Sequence, residues 1–174
     1  MSSDGQILIV GGGIGGLAAG LALTKQGFEV TILEQAPELG EIGAGIQLGP
    51  NAFHAFDALG VGPKARGRAV YTDEMVMHDA IDEKLIGRIQ TGEAFLKLFN
   101  NPYAVIHRQD IHDSLLEGAV ETGKIQFLTN TRIERVEQDD NGVTLYDTNG
   151  KTFKGAAVIG ADGGKSIVRG QYVN

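Results

Sequence analysis

The sequence predicts an α/β fold that combines a parallel sheet, packed helices and a three-stranded antiparallel β-meander. An apolar strand runs directly into a glycine-rich turn at 11–16, and a helix of small and apolar residues follows. A second apolar run, 30–33, ends at an acidic residue. Further along, two Asn-Gly pairs separate three segments of alternating polarity. The first two observations indicate a Rossmann-like βαβ unit, and the third indicates the meander.

Each glycine of the Gly-x-Gly-x-x-Gly turn has its own physical role. Gly11 permits the tight turn, Gly13 lets the backbone approach a phosphate, and Gly16 lets the helix pack close to the strand. The N–H groups at the start of the helix, around Ile14 and Gly15, attract an anion without any lysine. The turn therefore predicts a site for a dinucleotide pyrophosphate.

The acidic residue after the second strand is Glu34, about 18 residues beyond Gly16. An acid at roughly this spacing hydrogen-bonds a ribose hydroxyl in dinucleotide-binding βαβ units. We expect Glu34 to bind the ribose and Gln35 beside it to contact the cofactor. A carboxylate here favours an unphosphorylated 2′-hydroxyl, so the motif favours FAD or NAD over NADP.

Composition limits the class of protein. The chain has 174 residues, 42% of them hydrophobic, which is enough for one full core and at most a partial second domain. It has no cysteine, which excludes disulfides and thiolate chemistry, and we expect no metal site. The net charge of −7 disfavours nucleic acid as a partner. No secretion signal or membrane-spanning run is visible, so we expect a soluble, cytoplasmic protein.

The first part of the chain predicts two helices and a long loop. Small and apolar residues predict a buried helix over 14–26. The glycine- and proline-rich stretch 37–50 reads as a long ordered loop. A short helix follows over 51–59, with Asn51 as its N-cap. The basic cluster at 64–68 is interpreted as a solvated loop rather than a binding patch.

The middle of the chain predicts a hairpin. Segments 71–78 and 85–90 have strand character and are separated by a polar turn, so they are expected to pair as antiparallel strands inserted into the βαβ framework. Met75 and Met77 are interpreted as packing residues of this hairpin.

A helix is expected over 110–121, with Asp110 as its N-cap and with Leu115 and Val120 among its inward-facing residues. The segment 125–128 follows as a short strand. His107 and His112 lie on either side of the predicted start of the helix, a spacing that does not place them on one face. We therefore do not expect them to bind a metal.

The last third predicts the meander and one more strand. Asn-Gly turns divide the segments 133–138, 143–147 and 152–154 into three antiparallel strands. The run of small apolar residues at 156–161 fits a buried strand. It ends at Asp162-Gly163, where two interpretations stay open. One is a second contact to a nucleotide at the carboxyl end of a strand, and the other is an ordinary turn with Ser166 as a helix cap.

Four motifs in order carry a resemblance over residues 6–169. They are Gly11-x-Gly13-x-x-Gly16 with Glu34, the loop 43–51, the segment 107–112, and Asp162-Gly163-x-x-Ser166-x-x-Arg169. In these motifs the sequence resembles the single-component FAD-dependent aromatic hydroxylases. The resemblance implies a Rossmann-like FAD-binding fold with part of an inserted substrate-domain sheet.

The resemblance also implies which residues bind FAD. Glu34 would bind the adenosine ribose, and Ile133, or Arg132 beside it, would contact adenine through the backbone. Asp162 with Gly163 would serve both FAD and the passing nicotinamide cofactor.

On the flavin side, the backbone of 44–48 would lie along the ring, with Ala44, Gly45 and Gln47 as contacts, and Arg108 would reach the same side. An ion pair of Arg108 with a nearby carboxylate is the alternative for that residue.

The chemistry implied by the resemblance has three stages. FAD is reduced by NADH or NADPH, O₂ is captured as a flavin C4a-hydroperoxide, and a phenolic aromatic acid of the 3-hydroxybenzoate or salicylate type is hydroxylated. The implied partners are therefore a small aromatic substrate and O₂, and the resemblance also allows a homodimer.

We expect this chain to be the N-terminal, FAD-binding part of such an enzyme, because relatives of this kind are more than twice as long. The expected division is an FAD-binding βαβ unit and flavin loop over 1–70, a partial substrate-domain hairpin over 71–100, and the rest of the FAD-binding domain over 101–174. The catalytic residues are expected beyond Asn174, and the chain alone is expected not to hydroxylate.

Two other functions share the βαβ fingerprint. One is an NAD-dependent dehydrogenase domain, against which the meander and the Asp-Gly ending argue. The other is a non-enzymatic binding module on the same fold, which would bind a partner protein and no flavin.

Overall fold

The computed structural model describes residues 5–40 and 43–172. The predictions that fall on the leader 1–4 and on Glu41 and Ile42 of the predicted loop lie outside the described residues. The helices are α1 Ile14–Lys25, α2 Pro50–Leu59, α3 Gly62–Arg68, α4 Glu93–Phe99, α5 Arg108–Glu121 and α6 Ile167–Tyr172. The strands are β1 Ile7–Val10, β2 Val30–Leu33, β3 Gly45–Leu48, β4 Val70–Tyr71, β5 Glu74–His78, β6 Leu85–Gln90, β7 Ala104–His107, β8 Ile125–Leu128, β9 Ile133–Asp139, β10 Gly142–Asp147, β11 Thr152–Gly155 and β12 Ala157–Gly160.

The chain divides into two compact units. The first unit contains residues 1–41 and 112–174, and the second contains residues 42–111. Among the described residues, no helix is long and apolar enough to cross a membrane.

A four-stranded parallel sheet, in the order β12-β1-β2-β8, forms the centre of the first unit. α1 packs on one face of this sheet, where a Cβ atom at Gly20 would lie 3.2 Å from the Cδ1 atoms of both Ile32 and Ile125. The absent side chain at Gly20 therefore lets the helix approach the strands closely. This is the predicted βαβ unit, and it is confirmed with its neighbouring strand β8.

The antiparallel meander β11-β10-β9 supplies the other layer of the core. Leu8, Val10 and Leu33 of the parallel sheet pack in one buried cluster with residues of the meander. The meander residues in that cluster are Ile133, Val136, Val143 and Leu145. Leu8 and Val10 of β1 therefore face the meander, whereas Ile9 between them faces α1. This alternation is the twofold period of a strand. The three predicted segments of the meander are confirmed.

The second unit has two antiparallel sheets, β3-β7-β4 and β5-β6. Phe53 of α2 is completely buried and packs edge-to-face on Phe56, with ring centroids 6.3 Å apart. The hairpin β5-β6 is confirmed, but its first strand begins at Glu74. Tyr71, the first residue of the predicted segment, lies instead in β4, which pairs with β7.

Two predictions about loops were wrong. The stretch 37–50 contains β3, which pairs with β7 across about 60 residues of intervening chain, and no local pattern reveals such a pairing. The basic cluster 64–68 lies in α3. Arg66 of α3 donates from Nη2 to Asp57 Oδ2 at 2.7 Å and to Asn101 Oδ1 at 2.7 Å, so its charge is part of a network. The hydrogen bond from Arg66 lowers the pKa of Asp57.

The predicted N-caps of two helices were also wrong. Gly49 caps α2, and Pro50 occupies its first turn, because a residue without an N–H group fits a position that has no intrahelical partner. α5 begins at Arg108, so Asp110 lies in its first turn. A carboxylate in the first turn is still stabilised by the positive end of the helix dipole.

Three predictions of burial were wrong as well. Val120 at the end of α5 is 60% exposed, and Met77 of the hairpin is 62% exposed. β12 is an edge strand of the parallel sheet and is only partly covered. Apolar residues at a regular spacing indicate the apolar face of a helix or strand, but they do not reveal whether another element covers that face.

Candidate functional site

The glycine turn between β1 and α1 is shaped by backbone atoms. Gly11 has a φ of +107°, and a Cβ atom there would meet the carbonyl oxygen of Ala161. A Cβ atom at Gly16 would meet the carbonyl oxygen of Gly11. Neither neighbour can move aside as a side chain could, so both positions require glycine.

The first turn of α1 has open space beside it. Gly13 is its N-cap, in an extended conformation and without a side-chain cap, and its carbonyl accepts the first helical hydrogen bond from Leu17 at 3.0 Å. The preceding N–H groups have no partner within the helix. A Cβ atom at Gly15 would find nothing within 4 Å, and Gly15 is exposed. This end of the helix can therefore receive an anion.

Glu34 lies beside this turn, at the carboxyl end of β2. Its Oε2 accepts a hydrogen bond from the Gly12 N–H at 2.6 Å, and its Oε1 accepts one from the Ala36 N–H at 2.8 Å. The backbone of Glu34 is held as well, because Thr131 N–H donates to its carbonyl at 2.8 Å. The carboxylate is thus fixed in position next to the glycines. Gln35 is exposed beside it.

Asp162 follows β12, on the opposite side of β1 from Glu34. Its Oδ2 accepts from the Ile167 N–H at 2.8 Å and caps α6. Its Oδ1 is buried and has no hydrogen-bond partner among the described residues. Gly163 has a φ of +79°, and Ser166 Oγ accepts from the Arg169 N–H at 3.0 Å, so the predicted turn and serine cap are both present. The buried Oδ1 leaves an acceptor for a further group.

Ile133 is 4% exposed and packs in the core, so its side chain is engaged in the fold. The carbonyl of Arg132 accepts from the Thr148 N–H at 3.0 Å.

The structure places the glycines, Glu34 and Asp162 around the carboxyl ends of neighbouring parallel strands, which is where open α/β sheets bind ligands.

The residues predicted for the flavin side lie in the second unit. Ala44, Gly45 and Gln47 are exposed, and Gly45 and Gln47 share one face of β3. Arg108 N–H donates to the Ala44 carbonyl at 3.2 Å. A Cβ atom at Gly43 would lie 3.0 Å from Arg108 Cδ, so the arginine stem packs against this loop. β3 and Arg108 are therefore neighbours.

His112 is a residue of the site that the sequence reasoning missed. It is completely buried in α5, and its Nε2 lies 2.9 Å from the carbonyl oxygen of Gly12. The available signal was a histidine on the buried face of an amphipathic helix, between Ile111 and Leu115. That pattern alone does not show which distant backbone group the imidazole reaches.

The FAD-binding domain family matches residues 4–172 of the chain. The chain is 71% identical over 171 residues to 3-hydroxybenzoate 6-hydroxylase of Polaromonas naphthalenivorans, which covers 98% of this chain and 43% of that protein. It is 51% identical over 162 residues to 3-hydroxybenzoate 6-hydroxylase of Klebsiella oxytoca, covering 93% of this chain and 41% of that protein.

Among solved structures, Klebsiella pneumoniae HpxO complexed with FAD and uric acid is similar with a TM-score of 0.81 at 25% identity, covering 95% of this chain and 41% of that chain. The chain thus spans about two fifths of the length of these relatives. The resemblance inferred from the four motifs is confirmed, and the chain belongs to the FAD-binding domain family.

Proposed function

We propose that this chain binds FAD and forms the FAD-binding part of a flavoprotein monooxygenase that hydroxylates a phenolic aromatic acid. The observation that carries the proposal is the turn at Gly11–Gly16, where two positions admit no side chain and a fixed carboxylate, Glu34, lies alongside. The family match over residues 4–172 supports FAD as the dinucleotide.

The first unit would bind the adenosine and pyrophosphate half of FAD. The N-terminal N–H groups of α1 would face the pyrophosphate. Each oxygen of Glu34 accepts one backbone hydrogen bond and has a second lone pair for a ribose hydroxyl. Asp162 Oδ1 would accept a hydroxyl of the cofactor, which would satisfy a buried oxygen that otherwise lacks a partner. Ile133 would contribute only backbone, because its side chain is in the core.

The second unit would contact the flavin. Gly45 and Gln47 of β3 and Ala44 just before it are exposed, and Gly45 adds no side chain that would hold a planar ring away. Arg108 would place a permanent positive charge on the same side. Bound FAD would supply the redox chemistry, taking electrons from NADH or NADPH and delivering one oxygen atom of O₂ to the substrate.

A hydroxybenzoate is the substrate class that the relatives favour. Two proteins named 3-hydroxybenzoate 6-hydroxylase are 71% and 51% identical, whereas 6-hydroxynicotinate 3-monooxygenase of Bordetella bronchiseptica is 32% identical. We therefore place 3-hydroxybenzoate before a salicylate-type acid. The homodimer, the cytoplasmic location and the three-part division of the chain remain predictions.

The two alternative functions are less well supported. An NAD-dependent dehydrogenase would also use the glycine turn and Glu34, and a binding module would need no cofactor. The relatives described above are hydroxylases or a monooxygenase, and the HpxO structure contains FAD.

The deciding experiment incubates the purified chain with FAD, removes the excess and records the absorbance spectrum and flavin fluorescence. Retained flavin bands in one-to-one ratio with protein are the expected result. A folded chain that retains no FAD but binds NAD would support the dehydrogenase, and a folded chain that binds neither would support the binding module.

A further inference from the structure

His112 makes a specific contact with the glycine turn of the first unit. Its imidazole is 0% exposed, and its Nε2 lies 2.9 Å from the Gly12 carbonyl oxygen. A carbonyl oxygen can only accept, so Nε2 carries the hydrogen and donates it. The other ring nitrogen, Nδ1, is buried and has no hydrogen-bond partner among the described residues. The contact is therefore made through one ring nitrogen, Nε2.

This hydrogen bond fixes the peptide that joins Gly12 to Gly13. In a planar trans peptide, the C=O of one residue and the N–H of the next point in opposite directions. Because the Gly12 carbonyl points at the buried His112, the Gly13 N–H must point away from it. The preceding peptide is fixed too, since the Gly12 N–H donates to Glu34 Oε2 at 2.6 Å.

Three consecutive glycines would otherwise be free to adopt many conformations. Gly11 is held by its own N–H, which donates to the Leu33 carbonyl at 2.8 Å, but a glycine peptide in the middle of the turn has no side chain to fix its orientation. A binding loop that must order itself when the ligand arrives loses affinity by the cost of that ordering. A hydrogen bond from His112, on the buried face of α5, removes part of that cost beforehand.

We propose that His112 is a positioning residue for the cofactor pyrophosphate, holding the Gly12–Gly13 peptide so that the Gly13 N–H faces the anion. The proposal rests on the FAD-binding function proposed above. An aliphatic side chain would suit the apolar surroundings of α5, where Ile111 and Leu115 are also buried. Burying an imidazole there costs free energy that the single hydrogen bond to Gly12 only partly offsets, because Nδ1 has no partner among the described residues.

The test compares three variants with the unaltered chain. His112→Leu removes the donor and keeps an apolar side chain. His112→Gln restores an N–H donor at nearly the same distance from the backbone. Thr24→Val is the matched control, because Thr24 is also buried in the first unit and donates from Oγ1 to a backbone carbonyl, that of Leu21 at 3.0 Å.

The first measurement is the FAD dissociation constant, from quenching of flavin fluorescence, alongside thermal unfolding without FAD. We expect H112L to raise the constant about tenfold, H112Q to recover most of that loss, and T24V to lower the melting temperature with almost no change in the constant. The proposal is overturned if H112L binds FAD like the unaltered chain, if H112Q is as weak as H112L, or if T24V loses as much affinity as H112L.

The second measurement uses the chain without FAD, so it does not depend on the proposed function. Imidazole ¹⁵N spectra should show a hydrogen on Nε2, and the Gly13 amide signal should shift in H112L and return in H112Q. A bare Nε2, or a Gly13 signal unmoved by H112L, contradicts the proposal. If the unaltered chain binds no FAD, the proposed function fails, and these spectra alone decide whether His112 makes the contact. Should H112L not fold, the hydrogen on Nε2 and the Gly13 signal of H112Q decide it.

Discussion

Glu34 shows how a single side chain can organise a binding turn. Its two carboxylate oxygens accept from Gly12 and Ala36, one residue in the turn and one beyond the strand. The spacing from Gly16 predicted a ribose contact. It did not predict the bond to Gly12, which makes the same carboxylate part of the phosphate turn.

Replacing Glu34 with alanine should weaken FAD binding by about ten- to a hundredfold, because hydrogen bonds to a charged group are lost. Fluorescence titration of FAD measures the effect. Glu38→Ala is the control, since Glu38 is exposed in the following loop. Equal affinity of E34A and the unaltered chain would show that the ribose is bound elsewhere.

Gly15 and Gly16 are neighbours with opposite surroundings, so they form a matched pair. Gly16→Ala should destabilise the chain by about 2 kcal/mol or more, because the added methyl group meets a backbone carbonyl. Gly15→Ala should leave the FAD-free chain unchanged or stabilise it by up to about 1 kcal/mol, since alanine favours the helix and the space is open.

The same Gly15→Ala variant should nevertheless bind FAD more weakly, because the open space is where the pyrophosphate would lie. Urea unfolding and FAD titration of one preparation separate the two effects. A Gly15→Ala chain that binds FAD as tightly as the unaltered chain would move the pyrophosphate away from this helix end.

At the scale of elements, the helix pair α2–α3 is joined by charge. The Arg66 guanidinium pairs with Asp57 and also lies over the Phe53 ring, 5.1 Å from its centroid. Arg66 holds the pKa of Asp57 below its ordinary value of 3.8, so folding favours the ionised carboxylate. The resulting stability is present above that pH and is lost as the pH falls through the lower, folded-state pKa.

The contribution should be small, under about 1 kcal/mol, because the Asp57 side chain is 47% exposed. We expect Arg66→Gln to lower stability at neutral pH and to flatten its fall as the pH drops below about 5, as measured by urea unfolding. Arg88→Gln, which removes the exposed ion pair with Glu74, is the control. If the stability of R66Q falls with pH in parallel with that of the unaltered chain, Arg66 does not shift the titration of Asp57.

Local signals predicted the elements that are complete within a short stretch of sequence. The βαβ unit has its strand, turn and helix in about 30 residues, and the meander has Gly142 at φ +134° and Gly150 at φ +80° in its two turns. By contrast, β3 is a strand only because β7 lies beside it. His112 likewise contacts a glycine 100 residues earlier in the chain, which no local pattern can show.

At the scale of the whole molecule, FAD should act as a folding ligand. Because the proposed contacts exist only in the folded state, saturating FAD at about 100 times its dissociation constant should stabilise the chain by about 2.7 kcal/mol. A melting temperature that rises with FAD concentration, and does not rise with FMN, which lacks the adenosine half, would support the assignment. Equal shifts with both would contradict the role of Glu34.

The chain alone should bind FAD without hydroxylating 3-hydroxybenzoate. It spans about two fifths of the length of the two relatives named 3-hydroxybenzoate 6-hydroxylase. Hydroxylation requires a closed site that excludes water. The measurement supplies FAD, NADH and O₂ and looks for a dihydroxybenzoate by chromatography. Formation of that product in proportion to the protein present would contradict the prediction.

The strand order of the first unit has a consequence for synthesis. β1 pairs with β2 on one side, but its partner on the other is β12, with Ile7 opposite Ala157 across about 150 residues of chain. At about 5–20 residues per second, a ribosome needs roughly eight to thirty seconds to make that length. Throughout this interval, one edge of the first strand has unpaired backbone groups, the kind of edge on which strands of other molecules can add. Within this sheet, the edge of β1 is therefore the one that waits longest for its partner strand.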